Sequence, residues 1–313
     1  MRNAFIRTLL KLAESDERIH VVVADLGFGV MEPFATKFPR RFLNVGVAEQ
    51  NMTGIATGLA LSGKIVFTYS IANFPTLRCL EQIRNDVCYH HANVKIVSVG
   101  GGLGYGALGV SHHATEDIAV MRALPGLTVV APGDPVETEH AVRALGERVG
   151  PAYLRLGKSG EPIVYKRPIN FRLGEAIRVI EGTKITLLAT GTMLHATVQA
   201  AERLAQRGLA AGVLSLPTIK PLDAGAVLSA ARESRAVLTV EEHSIIGGLG
   251  SAVAEVLAEC GNPVRFKRLG LPPVFTTAVG SQDFLKAAYR LSVEGLVEQI
   301  DEAMGIWGLD LAA

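Results

Sequence analysis

Short runs of branched residues alternate along this chain with longer stretches of helical period, and that alternation limits the folds open to it. HVVVAD (20–25), KIVFTY (64–69), VKIVSVG (94–100) and LTVVAPG (127–133) are nearly continuous in apolar residues. Strands buried on both faces look like this, and parallel strands joined by crossover helices are buried in that way. After PAYLRLG (151–157) the period lapses into a stretch rich in Pro, Gly and charge, and a second series then starts with ITLLATG (185–191), GVLSL (212–216) and AVLTVEE (236–242). A chain of 313 residues is also long for one domain. The expected fold is therefore α/β, two doubly wound domains in series, over residues 1–160 and 183–313 with a linker at 161–182.

Charge excludes some partners. Lys+Arg 31 against Asp+Glu 30 leaves a net charge of +1 with no long run of either sign, so neither nucleic acid nor a membrane surface is an expected partner. Phe5, Leu9 and Leu12 recur at helical spacing within a charged N-terminal stretch, which suits an amphipathic helix rather than a signal peptide. Three cysteines without CxxC spacing read as apolar side chains of a reducing compartment, so the cytoplasm is expected.

The most informative segment is FLNVGVAEQNMTGIATGLALSG (42–63), where a strand, a small turn and a helix put Glu49 near a helix start at the carboxyl edge of a parallel sheet. Such edges bind ligands in α/β proteins. The helix dipole alone also favours a glutamate there. VGGGLGYGALGVSHHATED (99–117) is a glycine-rich loop after a strand, but it lacks the Lys-Ser/Thr of a phosphate loop and a complete dinucleotide fingerprint. Its adjacent His112 and His113 have no evident third ligand for a metal.

GVAEQNM (46–52) closely resembles the cofactor-activating motif of the transketolase superfamily, which includes transketolases, deoxyxylulose-phosphate synthases and the β subunits of 2-oxoacid dehydrogenases. The resemblance implies thiamine diphosphate as cofactor, with Glu49 bonded to the pyrimidine N1′. The chemistry needs an acid there, because a proton on N1′ readies the 4′-amino group to deprotonate the thiazolium. By the same resemblance Asp25, at the end of the first strand within VVVADLG (21–27), lies near the cofactor; a turn-capping role is equally open. In FTYSIANFPTLRCLEQIRNDV (67–87) the family's pyrimidine-stacking ring matches Phe74 best, with Tyr69 before it and Arg78 after it. The family's loop histidine, which donates to the substrate oxygen as charge develops, matches His112, with His113 as its alternate. The aspartate many relatives carry ahead of it is missing from YGALGVSHH (105–113), and GYGAL is closer to the dehydrogenase β subunits. Arg155 and Lys158 stand where relatives place a cation for a substrate phosphate, Lys158 at the more relevant position.

SLPTIKPLDAG (215–225) and VLTVEEHSIIGGLGSAVAEVLAE (237–259) resemble the superfamily's C-terminal domain, and GGLG starts a helix whose amides could face an anion. Glu241, Glu242, His243 and His195 read as structural. The GDG motif and later Asn that hold Mg²⁺ and the diphosphate in full-length relatives are missing: APGDPVE (131–137) has Pro135 where the second Gly is needed.

The resemblance thus implies the C-terminal subunit of a split transketolase. A separate N-terminal subunit would carry the diphosphate and Mg²⁺ site, in an α2β2 heterotetramer acting on small sugar substrates. A 2-oxoacid-decarboxylating or acyloin-forming subunit is the enzymatic alternative, and a non-catalytic scaffold the other.

Overall fold

The computed structural model describes residues 1–261 and 263–309. Helix α1 (Arg2–Ser15) buries Phe5, Ile6 and Leu9 on one face and leads into strand β1 (Ile19–Val23). Then come α2 (Glu32–Lys37), β2 (Phe42–Asn44), α3 (Glu49–Leu61) and β3 (Ile65–Ile71). A short α4 (Leu80–Gln82) widens into a π turn over Ile83–Cys88 before β4 (Val94–Val99). Helix α5 (Asp117–Ala123), β5 (Thr128–Val130), α6 (Pro135–Glu147) and β6 (Ala152–Leu156) complete this half. The N-cap of α6 is Asp134, whose side chain accepts from the Glu137 N–H, with Pro135 at the first helical position, where a missing N–H costs nothing.

The second half contains β7 (Ile177–Ile180), β8 (Ile185–Ala189), α7 (Met193–Gln206), β9 (Ala211–Ser215), β10 (Thr218–Lys220) and α8 (Ala224–Glu233). It ends with β11 (Val237–Ser244), α9 (Leu249–Glu259), β12 (Phe266–Leu271), α10 (Gln282–Ala288) and α11 (Val293–Ile306).

Two sheets result. The first has the order β2-β1-β3-β4-β6-β5-β10, parallel except for β10, which runs antiparallel to β5. The second has the order β7-β9-β8-β11-β12, parallel except for β7. Helices cover both faces of the first sheet. One face buries Phe5, Leu9, Phe34 and Phe67, the other Met52, Ile83, Val87 and Met121. Both sheets are mainly parallel, as the continuous apolar runs require. One strand crosses the expected division: β10 belongs to the sequence of the second half and to the sheet of the first.

Strand order reverses at β1, which has β2 on one side and β3 on the other. The crevice outside the carboxyl ends of β1 and β3 is therefore the position where a doubly wound sheet binds ligands.

Candidate active site

Glu49 is the first residue of α3 and is 2% exposed. Arg78, from the turn after β3, donates from Nη1 to Glu49 Oε2 at 2.6 Å. A charge-assisted bond of this length compensates a carboxylate that burial otherwise penalises. The Arg78 guanidinium also lies 5.0 Å from the centre of the Phe74 ring, and Gln50, next to Glu49, donates from Nε2 to the Arg78 carbonyl at 3.1 Å. Oε1 of Glu49 accepts no hydrogen bond among the described residues. The carboxylate thus keeps one oxygen for a further donor, beside an aromatic face, which fits an aminopyrimidine.

Phe74 links this pair to the glycine-rich loop. Its ring meets that of His112 edge-on, with centres 5.1 Å apart, and the Tyr105 ring lies 6.4 Å from His112 on another side. Asn73 ties the same segments together through Nδ2 to the Ser111 carbonyl at 2.8 Å. Glu49, Arg78, Phe74 and His112 are therefore brought together, as their spacing in sequence could only suggest. His112 Nδ1 is 3.0 Å from Ser111 Oγ.

His113 does not join them. The backbone is extended there, so successive side chains diverge, and its imidazole is 3% exposed with no hydrogen-bond partner on either nitrogen. The histidine that faces Phe74 is His112.

Two other expected residues are placed differently from the sequence reading, Tyr69 and Arg155, while Asp25 lies at the crevice. Tyr69 lies in the interior of β3, 2% exposed and stacked on Phe5 at 5.8 Å, so it is core rather than a neighbour of Phe74. Arg155 points into the protein: Nε donates to Asp117 at 2.8 Å, and Nη2 to the carbonyls of Ala114 and Glu242 at 2.9 and 3.0 Å. At 4% exposure, its Nε and Nη2 donors are committed within the protein. Asp25 follows β1 with φ +53°, and its carboxylate accepts from Asn44 Nδ2 while its N–H donates to Asn44 Oδ1, both at 3.0 Å. That exchange joins the carboxyl ends of β1 and β2 at the crevice.

Lys158 is exposed, with Nζ 4.7 Å from the centre of the Tyr105 ring. Tyr105 also lines a cavity of about 170 Å³ with Tyr69, Phe28 and Arg2. Arg2 is not among the residues that the sequence singles out. Its Nε is buried without a hydrogen-bond partner, and the residue lines the cavity. In the sequence it is one of several charges on an amphipathic first helix, with no mark of its own.

The glycines of the loop serve packing. Gly100 has φ +76°, and a Cβ there would meet the Tyr105 ring at 2.2 Å, so this close approach needs glycine. Both ends of the loop are fixed from within: Glu242 Oε1 accepts from the Leu103 N–H at 2.7 Å, and Arg155 holds the Ala114 carbonyl. The helix start after GGLG is filled by the protein's own carboxylate, as Glu241 accepts from the Leu249 and Gly250 N–H groups at 2.7 Å. His195 lines a surface groove between the halves, away from this loop. No cluster of metal-ligating side chains occurs among the described residues, and no helix among them is long and apolar enough to cross a membrane.

Fold and site define a class first: a chain of two mainly parallel α/β layers, the first presenting a buried acid, an aromatic ring and a histidine at its ligand-binding edge. Comparison with known proteins then gives the family. Residues 1–161 match the transketolase pyrimidine-binding domain and residues 174–296 the transketolase C-terminal domain. The chain is 41% identical over 297 residues to an apulose-4-phosphate transketolase subunit of Phocaeicola vulgatus, covering 94% of each. It is 40% identical over 307 residues to a putative transketolase C-terminal section of Methanocaldococcus jannaschii, covering 97% of this chain and 96% of that one. Among solved structures, a split-gene transketolase described as an inactive β4 tetramer superposes with a TM-score of 0.87 at 39% identity, covering 97% of both chains. The chain belongs to the transketolase family, which implies dependence on thiamine diphosphate.

Proposed function

We propose that this chain is the catalytic-glutamate half of a two-chain transketolase, transferring a two-carbon ketol unit from a phosphorylated ketose to an aldose. The observation that carries the reading is the buried Glu49, bonded to Arg78 and joined through Phe74 to His112.

When bound, thiamine diphosphate supplies the nucleophilic carbon that adds to the donor carbonyl. Glu49 holds a proton at the pyrimidine N1′ through the oxygen that Arg78 leaves open. Phe74 gives that heterocycle an apolar face and excludes water from it. His112 donates to the substrate oxygen as negative charge develops there. Asp25 orients the neighbouring backbone through Asn44. Arg2 and Lys158 supply positive charge near Tyr105 for the substrate phosphate.

The diphosphate and its Mg²⁺ belong, in this reading, to a separate N-terminal chain with the GDG motif and later Asn, and two such pairs make an α2β2 heterotetramer in the cytoplasm. The inactive β4 assembly reported for the split-gene relative supports a need for that second chain. One observation favours a second reading: Ala107 and Leu108 occupy the loop where many relatives carry an aspartate. That change suits a 2-oxoacid donor, and CO₂ release from a 2-oxoacid without ketose cleavage would replace the transferase reading.

Glu49→Gln in the reconstituted two-chain complex is the direct test. It is expected to lower turnover about 10²–10⁴-fold, the range for loss of a positioned acid, with the complex still assembled. Unchanged turnover would refute the assignment. Tight, Mg²⁺-dependent binding of thiamine diphosphate by this chain alone would overturn the division of the site.

A further inference from the structure

The loop that carries His112 belongs to the first half of the chain, yet its anchor lies in the second. Leu103, near the start of the loop, is 1% exposed and packs into the core of the second half with Leu285 and Leu291. A Cβ at Gly106 would meet Leu285 Cδ1 at 2.5 Å, so the loop rests directly on α10. From Leu103 three successive turns lead to the imidazole. The Gly106 N–H donates to the Leu103 carbonyl at 2.8 Å, Gly109 to Gly106 at 3.2 Å and His112 to Gly109 at 3.0 Å. The position of Leu103 therefore fixes that of His112.

Leu103 is held in turn by a carboxylate with its own supports. Glu242 is 1% exposed, and its Oε1 accepts from the Leu103 N–H at 2.7 Å. Gln282 Nε2 donates to both carboxylate oxygens at 2.8 and 2.9 Å, Thr192 Oγ1 donates to Oε2 at 2.8 Å, and Lys286 Nζ lies 3.1 Å from Oε2. Burial works against the charged form, and Lys286 with these donors still holds the carboxyl below its ordinary range. Lys286, 15% exposed at the wall of the groove between the halves, is the outer end of a buried series of alternating charge: Asp117, Arg155, Glu242, Lys286. Without its counter-charge a buried carboxylate takes up a proton or moves towards water, and either change weakens its hold on the Leu103 N–H.

We infer that Lys286 is a positioning residue for the reaction: by pairing with Glu242 it sets where the loop puts His112, from a helix of the other half of the chain. The inference rests on the reading of His112 as the donor to the substrate oxygen, and makes the place of that donor depend on a charge pair in the second half.

The test is steady-state kinetics of the reconstituted two-chain complex. Lys286→Met is expected to lower kcat roughly 10–100-fold, the cost of a misplaced reacting group, while KM for the donor changes by less than about twofold. Adding Glu242→Gln removes the unpaired buried charge and leaves an oxygen for the Leu103 N–H, so the double variant is expected to recover most of that loss. Thr192→Val removes one donor to the same carboxylate and keeps the charge pair, so it serves if Lys286→Met does not fold; kcat is expected to fall about 3–10-fold with KM again unmoved. Arg122→Met is the control. It cuts a different contact between the halves, from α5 to Glu255 on α9, and is expected to leave kcat unchanged. The inference is overturned if Lys286→Met or Thr192→Val leaves kcat unchanged, if the double variant recovers nothing, or if Arg122→Met costs as much as Lys286→Met. His112→Ala separates the two readings. If it is costly while Lys286→Met is silent, this inference alone falls; if it costs nothing, both fall.

Discussion

Arg78 Nη1 lies 2.6 Å from Glu49 Oε2 and joins a half-exposed cation to a carboxylate that is 2% exposed. The pair is asymmetric: water screens the guanidinium while the carboxylate depends on it. Arg78→Gln is therefore expected to destabilise the chain by about 1 kcal/mol, below the cost of opening a fully buried pair. In combination with Glu49→Gln the loss should shrink, because the neutral amide no longer needs the cation. Denaturant unfolding of the two single variants and the double variant measures that coupling, and strict additivity would show the pair to be incidental.

His112 and His113 are adjacent in sequence and opposed in space. His112→Ala is expected to cost about 10²–10³ in turnover of the reconstituted enzyme, as loss of one oxyanion donor does. His113→Phe, which leaves the Phe74 side untouched, should cost less than about tenfold. Equal losses would mean that the loop presents both rings to the reaction.

Arg2 lines a cavity with Tyr105, and Lys158 Nζ lies 4.7 Å from the centre of the Tyr105 ring. Lys158→Ala and Arg2→Met are each expected to raise KM for a phosphorylated donor by about tenfold, the worth of a hydrogen bond to a charged group, while KM for an unphosphorylated donor stays unchanged. Steady-state kinetics with both donors separates a lost phosphate contact from general damage, which would raise both values.

Acid stability should carry the signature of His243. The residue is fully buried, donates from Nδ1 to the Ser244 carbonyl at 2.7 Å and accepts at Nε2 from the Ala119 N–H at 3.3 Å, which together require the neutral ring. Burial pulls its pKa from 6.5 to about 4. The folded value lies below the unfolded one, so this contribution is complete above pH 6.5 and is lost as pH falls towards 4. Glu241, whose carboxyl burial raises to about 7, acts in the opposite sense and favours the fold as pH falls from 7 to 4.5. His243→Asn isolates the first effect. The melting temperature of the native chain should drop relative to the variant between pH 6.5 and 4, and parallel curves would remove His243 as the cause.

The parallel sheets are legible in the sequence because buried strands such as VVV and KIVSV carry an unbroken apolar signal. Strand β10 is not, since three residues, Thr218–Lys220, are too few for any period, and its partner is set by tertiary packing. In the site, the motif around Glu49 points to the right helix start, and the Phe74–His112 pairing follows the resemblance. Arg155 departs from its expected role, although a signal exists: a charge within AYLRL, a strand buried along its whole length, calls for a buried counter-ion rather than a soluble ligand. Asp117 supplies it. Arg2 carries no such mark, because an arginine at a helix start is common and only its unpartnered, buried Nε singles it out.

The loop bearing His112 is held at Leu103 by Glu242 and at Ala114 by an arginine that also grips the Glu242 carbonyl. Mechanically it is a bowstring, and the second half of the chain sets its tension. Changes on β11, more than a hundred positions downstream of the reacting groups and out of their reach, can therefore detune the imidazole. In a screen of random variants, some of the most damaging substitutions would be found in the second half of the chain, away from Glu49 and Phe74.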